Sequence, residues 1–100
     1  MLRAYCDGTT PLGVGKPPIG APAYFDSFTG GPIPCKVLGL GRDEFLGRDI
    51  VRVLLTMREP RGGYQPREVL NVPVRCVFPR SALVTRRGKY HIASYIWGQL

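Results

Sequence analysis

The sequence predicts an all-β fold: a small five-stranded barrel over residues 32–100, behind an extended Gly/Pro-rich N-terminal arm over residues 1–31. Three observations predict it. Glycine and proline make up 23 of the 100 residues, which favours turns over long helices. Short segments with apolar residues at alternate positions recur from Ile33 onward. Composition also changes at Pro32. The first 31 residues set Arg3 and Lys16 against Asp7 and Asp26, whereas residues 32–100 hold twelve basic and five acidic residues and so carry the whole net charge of +7.

The arm comes first. Six glycines and four prolines in 31 residues oppose both a helix and a central strand. Lys16-Pro17-Pro18 and Ala21-Pro22 favour polyproline-like extension. The stretch ends in Tyr24, Phe25 and Phe28, three rings within five residues. Rings so close together need a surface to bury against, either the domain's own core or a neighbouring subunit. On the second reading Tyr24, Phe25 and Phe28 are partner-binding residues, and deleting residues 1–23 is expected to leave a folded barrel that no longer assembles.

The barrel strands follow. Ile33 to Leu40 reads as an opening strand with Cys35 and Val37 on one face. Gly39, Gly41 and Arg42-Asp43-Glu44 mark a distal hairpin reaching Asp49. Ile50 to Met57 is the clearest strand, with Val51, Val53, Leu55 and Met57 forming one face. Pro60-Arg61-Gly62-Gly63 is a turn by composition. Tyr64 to Val72 is a weaker strand, and Pro66 suits an edge or a bend. Val74 to Phe78 alternates, with Arg75 pointing away from Val74, Cys76 and Phe78. Pro79 to Leu83 reads as one tight helical turn, since proline suits a first helical position. Arg86-Arg87-Gly88-Lys89 is a basic turn, and Tyr90 to Trp97 a last strand. The single helical turn before the last strand points to an SH3-like barrel over an OB-fold, which wants a longer helix. Closure would remove the sheet edges.

The order Pro34-Cys35-Lys36-Val37, then Ile50 to Thr56, then Gly62-Gly63-Tyr64, Glu68 to Pro73, and Val77 to Val84 resembles the small SH3-like β-barrel proteins that phage genomes encode. It is more loosely similar to KOW-type barrels of ribosome-associated and transcription proteins, whose short first-hairpin signature it lacks. The resemblance covers about sixty residues and is carried by turn and core signals. It implies a place in a virion or the host cytoplasm, with the barrel acting as an assembly adaptor.

Chemistry-bearing residues are few. Gly13-Val14-Gly15-Lys16 is short of a phosphate loop, which needs an earlier glycine and a final Ser or Thr where Pro17 stands. His91 is the only histidine, and no carboxylate lies at a spacing that places it alongside. Cys6, Cys35 and Cys76 are odd in number and form no CxxC pair, so neither a disulfide framework nor a zinc site is expected. Cys35 and Cys76 read as small buried hydrophobes. No catalytic, cofactor-binding or metal-binding residue is expected, nor a small-molecule substrate. No apolar run approaches the ~20 residues of a membrane helix.

The remaining candidates are Arg75, Arg80, Arg86, Arg87 and Lys89, with Tyr90, Tyr95 and Trp97 interleaved. Guanidinium forks bind phosphate or carboxylate, and aromatic faces stack bases or anchor protein contacts. The set therefore reads in three ways: an acidic protein surface, RNA or single-stranded DNA, or a solvated face. The expected function is a non-enzymatic structural component of a larger assembly, a homo-oligomer or a virion. Nucleic-acid binding is the alternative.

Overall fold

The computed structural model describes residues 13–27 and 29–97. Within them the chain is all-β with two single-turn 3-10 helices, and its centre is an antiparallel sheet of five strands. The strands of the chain, in order, are β1 (Gly13–Val14), β2 (Pro22–Ser27), β3 (Gly31–Asp43), β4 (Arg48–Leu55), β5 (Val69–Pro73), β6 (Val77–Pro79), β7 (Leu83–Arg86), β8 (Lys89–Ile92) and β9 (Tyr95–Ile96). The central sheet runs β5-β4-β3-β2-β6. Two small ribbons complete the fold, the β7–β8 hairpin and the parallel pair β1–β9. Among the described residues no helix is long and apolar enough to cross a membrane.

Period-two burial builds the core. Ile33, Cys35 and Val37 of β3 face inward beside Val51, Val53 and Leu55 of β4, and all six are fully buried. Met57 continues the expected β4 face one residue pair beyond the strand. The exposed Arg52 points the other way and donates from Nε to Asn71 Oδ1 at 3.1 Å, across the β4–β5 pair.

The boundary expected at residue 31 is corrected. Pro22–Ser27 is a strand inside the sheet, between β3 and β6. Ala23 and Phe25 are buried in the core, and Phe25 meets the Tyr64 ring edge-on at 5.4 Å. Tyr24 packs against Phe78 at 5.7 Å. Two of the three arm rings thus bury on the chain's own domain. Phe28 lies outside the described residues. Pro17 is also buried, so removing residues 1–23 takes material from the folded body, contrary to the expectation of an intact barrel.

Prolines hid β2 from the sequence. Pro22 is the first residue of the strand, where a missing N–H matters little. Its partner β3 opens with Pro32 and Pro34, whose carbonyl side faces away from β2: Pro34 O accepts the Thr56 N–H at 2.9 Å. The β3–β4 ladder starts only at Cys35, so no N–H is demanded of either proline there.

Local chemistry closes the β2–β3 turn. Ser27 Oγ donates to Gly31 O at 2.8 Å and accepts the Gly30 N–H at 2.9 Å. The 61–64 turn clamps on it: Thr29 Oγ1 donates to Gly62 O, and Arg61 Nη1 donates to Pro32 O at 2.9 Å. Gly62 is held at φ 58°, and a Cβ there would meet the Gly30 backbone at 2.5 Å. Glycine is required at that crossing.

Three other expectations shift. Tyr64 to Glu68 is turn and isolated bridge rather than strand: the β4–β5 ladder covers Val69–Pro73, and before it only the backbones of Arg67 and Glu68 bond Leu55. Val74–Cys76 is a 3-10 turn, and the strand begins at Val77. Ala93 and Ser94 divide the expected last strand into β8 and β9. The helical turn expected near Pro79 is present as Arg80–Ala82.

The cysteines also differ from expectation in part. Cys35 is free and fully buried. Burial pushes its thiol up to about 12, against a smaller opposing pull from the Arg80 charge. Cys76 is buried but disulfide-bonded, and the other half of that bond lies outside the described residues. An odd cysteine count leaves room for one bridge plus one free thiol.

Candidate functional site

Two surface features stand out, and β3 joins them. The first is the tip of the β3–β4 hairpin. Asp43 Oδ1 accepts the N–H groups of Phe45 at 3.1 Å and Leu46 at 3.2 Å, and the Gly47 N–H returns to Asp43 O at 2.7 Å. Gly47 supplies the positive φ of 68°. Arg42 braces the stem, donating to Gly47 O at 3.0 Å and pairing with Asp49 at 3.2 Å. Lys16 reaches the same Asp49 at 3.3 Å, and its hydrogen bond and charge hold that carboxyl below the usual range. The turn is therefore fixed by its own sequence, yet it presents Phe45 95% exposed and Leu46 55% exposed. Beside Phe45, Glu44 has no ion pair.

The second is the β7–β8 hairpin. Arg86 and Lys89 pair across a two-residue turn, Arg87-Gly88, whose φ values of 55° and 77° are both positive. A type I′ turn requires this and favours Asn or Gly. An arginine there holds left-handed backbone at a cost of roughly 1 kcal/mol. Arg86, Arg87 and Lys89, with Tyr90 and His91, line a cleft of about 480 Å³. Arg86, Arg87 and Lys89 are exposed, and none of them has an ion pair. Tyr90 is half-buried and anchors the wall, its hydroxyl donating to the buried Asp26 Oδ1 at 3.5 Å.

The expected basic and aromatic set is thus divided. Arg86, Arg87 and Lys89 come together. Arg80 does not join them: its Nε donates to Ala23 O at 3.3 Å and its guanidinium lies 5.4 Å from the centre of the Tyr24 ring, bracing β2. Arg75 is exposed on the Val74–Cys76 turn and does not line the cleft. Tyr95 donates to Val77 O at 3.2 Å and meets Trp97 edge-on at 5.9 Å. Both rings line a separate apolar pocket of about 500 Å³ with Pro18, Pro79 and Ile96. Gly13 lies against the Tyr95 ring too closely for any Cβ. Burial raises the Tyr95 phenol above its ordinary value. Trp97 Nε1 is buried without a hydrogen-bond partner.

Comparison with family models, curated proteins and solved structures returns no match. Function has to be argued from the chain's own surface. Among the described residues no group of three or more His, Cys, Asp or Glu side chains could hold a metal ion. Neither carboxylate nor thiol lines the cleft beside His91 among the described residues, so a general-base arrangement has no orienting acid there.

The hairpin tip was missed as a site. Arg42-Asp43-Glu44 read as a polar loop, and Phe45-Leu46 fell between two strand assignments. The available signal was an aromatic residue placed two positions after an Asp that caps the turn.

Proposed function

We propose that this chain is a non-enzymatic assembly component, built on a small barrel of the SH3-like kind and acting as a virion-type structural protein. Its setting on this reading is a virion or the host cytoplasm. One observation carries the proposal: a braced turn holds Phe45 and Leu46 in solvent at the end of the longest hairpin. Removing an apolar residue of this size from water is worth about 1.5–3 kcal/mol, which favours a partner that covers it. Aromatic anchors surrounded by charge are a common form of protein contact.

The basic cleft supports a second reading, binding of RNA or single-stranded DNA through Arg86, Arg87 and Lys89. Such binding weakens steeply with salt. The two separate in one experiment. Sedimentation velocity of the full chain is recorded from 5 to 500 µM, beside the Phe45→Ser/Leu46→Ser variant and a labelled 20-nucleotide oligonucleotide. The assembly reading expects mass above the monomer in the parent and a monomeric variant. A parent that stays monomeric at 500 µM and binds the oligonucleotide in a salt-sensitive manner would overturn it.

A further inference from the structure

We infer that the partner of the hairpin tip is a second copy of this chain, which receives Phe45 in its β7–β8 cleft while Glu44 pairs with Arg86, Arg87 or Lys89. This rests on the assembly reading above and names its partner. Three observations lead to it.

The two surfaces are complementary in charge. Of the five acidic residues after Pro32, Asp43 caps the tip turn, Asp49 is paired with Lys16 and Arg42, Glu68 accepts the Gln65 N–H at 2.9 Å, and Glu59 stands exposed between Arg58 and Pro60, away from any exposed ring. Glu44 is an unengaged acid beside the most exposed aromatic ring of the described residues. The cleft offers three unengaged cations around a half-buried ring. An acidic–aromatic tip matches a basic, aromatic-walled cleft, and opposite potentials of this kind select partners and orientation.

A molecule cannot satisfy its own cleft. Tyr90 lies at the start of β3, where a Cβ on Gly31 would stand 3.7 Å from its hydroxyl. The tip lies at the other end of that strand, past Asp43. Twelve residue steps of strand, with a bulge between Val37 and Gly39, separate the two, at most about 40 Å at ~3.3 Å per residue, in a molecule whose longest dimension is 39 Å. Tip and cleft thus lie toward opposite ends of β3, so the contact joins head to tail. Such a contact repeats from copy to copy, and it generates a ring if the rotation closes and a filament if it does not.

The apolar pocket beside Trp97 is a weaker receptor. Among the described residues no charged group lines it, and the partnerless Trp97 Nε1 is buried out of reach of an incoming acceptor.

One tip buries less than the ~1,200 Å² of a stable standard interface, so each contact is weak and assembly belongs to the high-micromolar range. The test is charge exchange, using residues whose side chains are exposed. Variant one is Glu44→Arg, with tip and cleft both basic. Variant two is Arg86→Glu/Arg87→Glu/Lys89→Glu, with tip and cleft both acidic. Circular dichroism checks that each is folded. At 300 µM and 100 mM salt, each alone is expected to sediment as a monomer. An equimolar mixture is expected to regain the mass of the parent, because every contact then joins opposite charges. Two results overturn the inference: either variant alone associates like the parent, or the mixture stays monomeric. If the parent associates through Phe45 yet neither charge reversal matters, the assembly reading survives and the cleft is not its receptor. A parent that binds the oligonucleotide and never self-associates removes both.

Discussion

Phe25 shows how one side chain reassigns a segment. It is 5% exposed and edge-on to Tyr64, so Phe25→Ala is expected to cost ~3–5 kcal/mol, read by urea denaturation. A ring belonging to a detached arm would show almost no change. Glycines give a paired comparison. Gly63→Ala meets open space at φ 91° and pays only for left-handed backbone, ~1–2 kcal/mol. Gly62→Ala adds a clash with the Gly30 backbone at 2.5 Å and is expected to cost clearly more. Arg87 runs the other way. Arg87→Gly relieves the left-handed arginine and is expected to stabilise by ~1 kcal/mol, while weakening self-association by removing one cleft cation. Gain in one with loss in the other marks a residue kept for contact rather than for folding.

Cys35 and Tyr95 set an alkaline limit. Both hold their protons more tightly when folded than when unfolded, because burial disfavours the ionised forms. Their contribution to stability is complete below about pH 9, the ordinary thiol value, and is lost as pH rises toward about 12, the folded value of Cys35. Thermal melts at pH 7, 9 and 10.5 should show a progressive fall, with a smaller fall in Cys35→Ala.

At the scale of elements, the sequence was readable where period-two patterning met no proline. β4 was legible in face, because Val51, Val53 and Leu55 alternate with Arg52, though it runs Arg48–Leu55 rather than from Ile50 to Met57. β2 was not, because Pro22, Pro32 and Pro34 spell an extended linker. Only the pairing of β2 and β3 shows that those prolines sit where no N–H is needed. The 3-10 turn at Val74–Cys76 was likewise invisible, since Val, Cys and Phe alternate as a strand would. The basic hairpin was legible as a charged turn. Its separation from Arg80, Tyr95 and Trp97 was not, because that depends on which strands become neighbours. A chain beginning at Tyr24 loses Ala23 and β1 and is expected to fail to fold cooperatively, read by thermal melting.

For the whole molecule, the hairpin tip and the cleft lie toward opposite ends of β3, in a body 39 Å long, an arrangement suited to serial contact. The most direct measurement uses the chemistry of the proposed contact itself. A carbodiimide joins a carboxylate to an amine at zero length, and Glu44 and Lys89 supply that pair. An equimolar mixture of ¹⁴N- and ¹⁵N-labelled chains is treated at 300 µM, digested and read by mass spectrometry. The account expects a Glu44–Lys89 linked peptide pair in mixed-isotope form, which only two copies can produce. Cross-links that leave Glu44 unattached to the Arg86–Lys89 hairpin, or a Glu44–Lys89 link found only in single-isotope form, would contradict it.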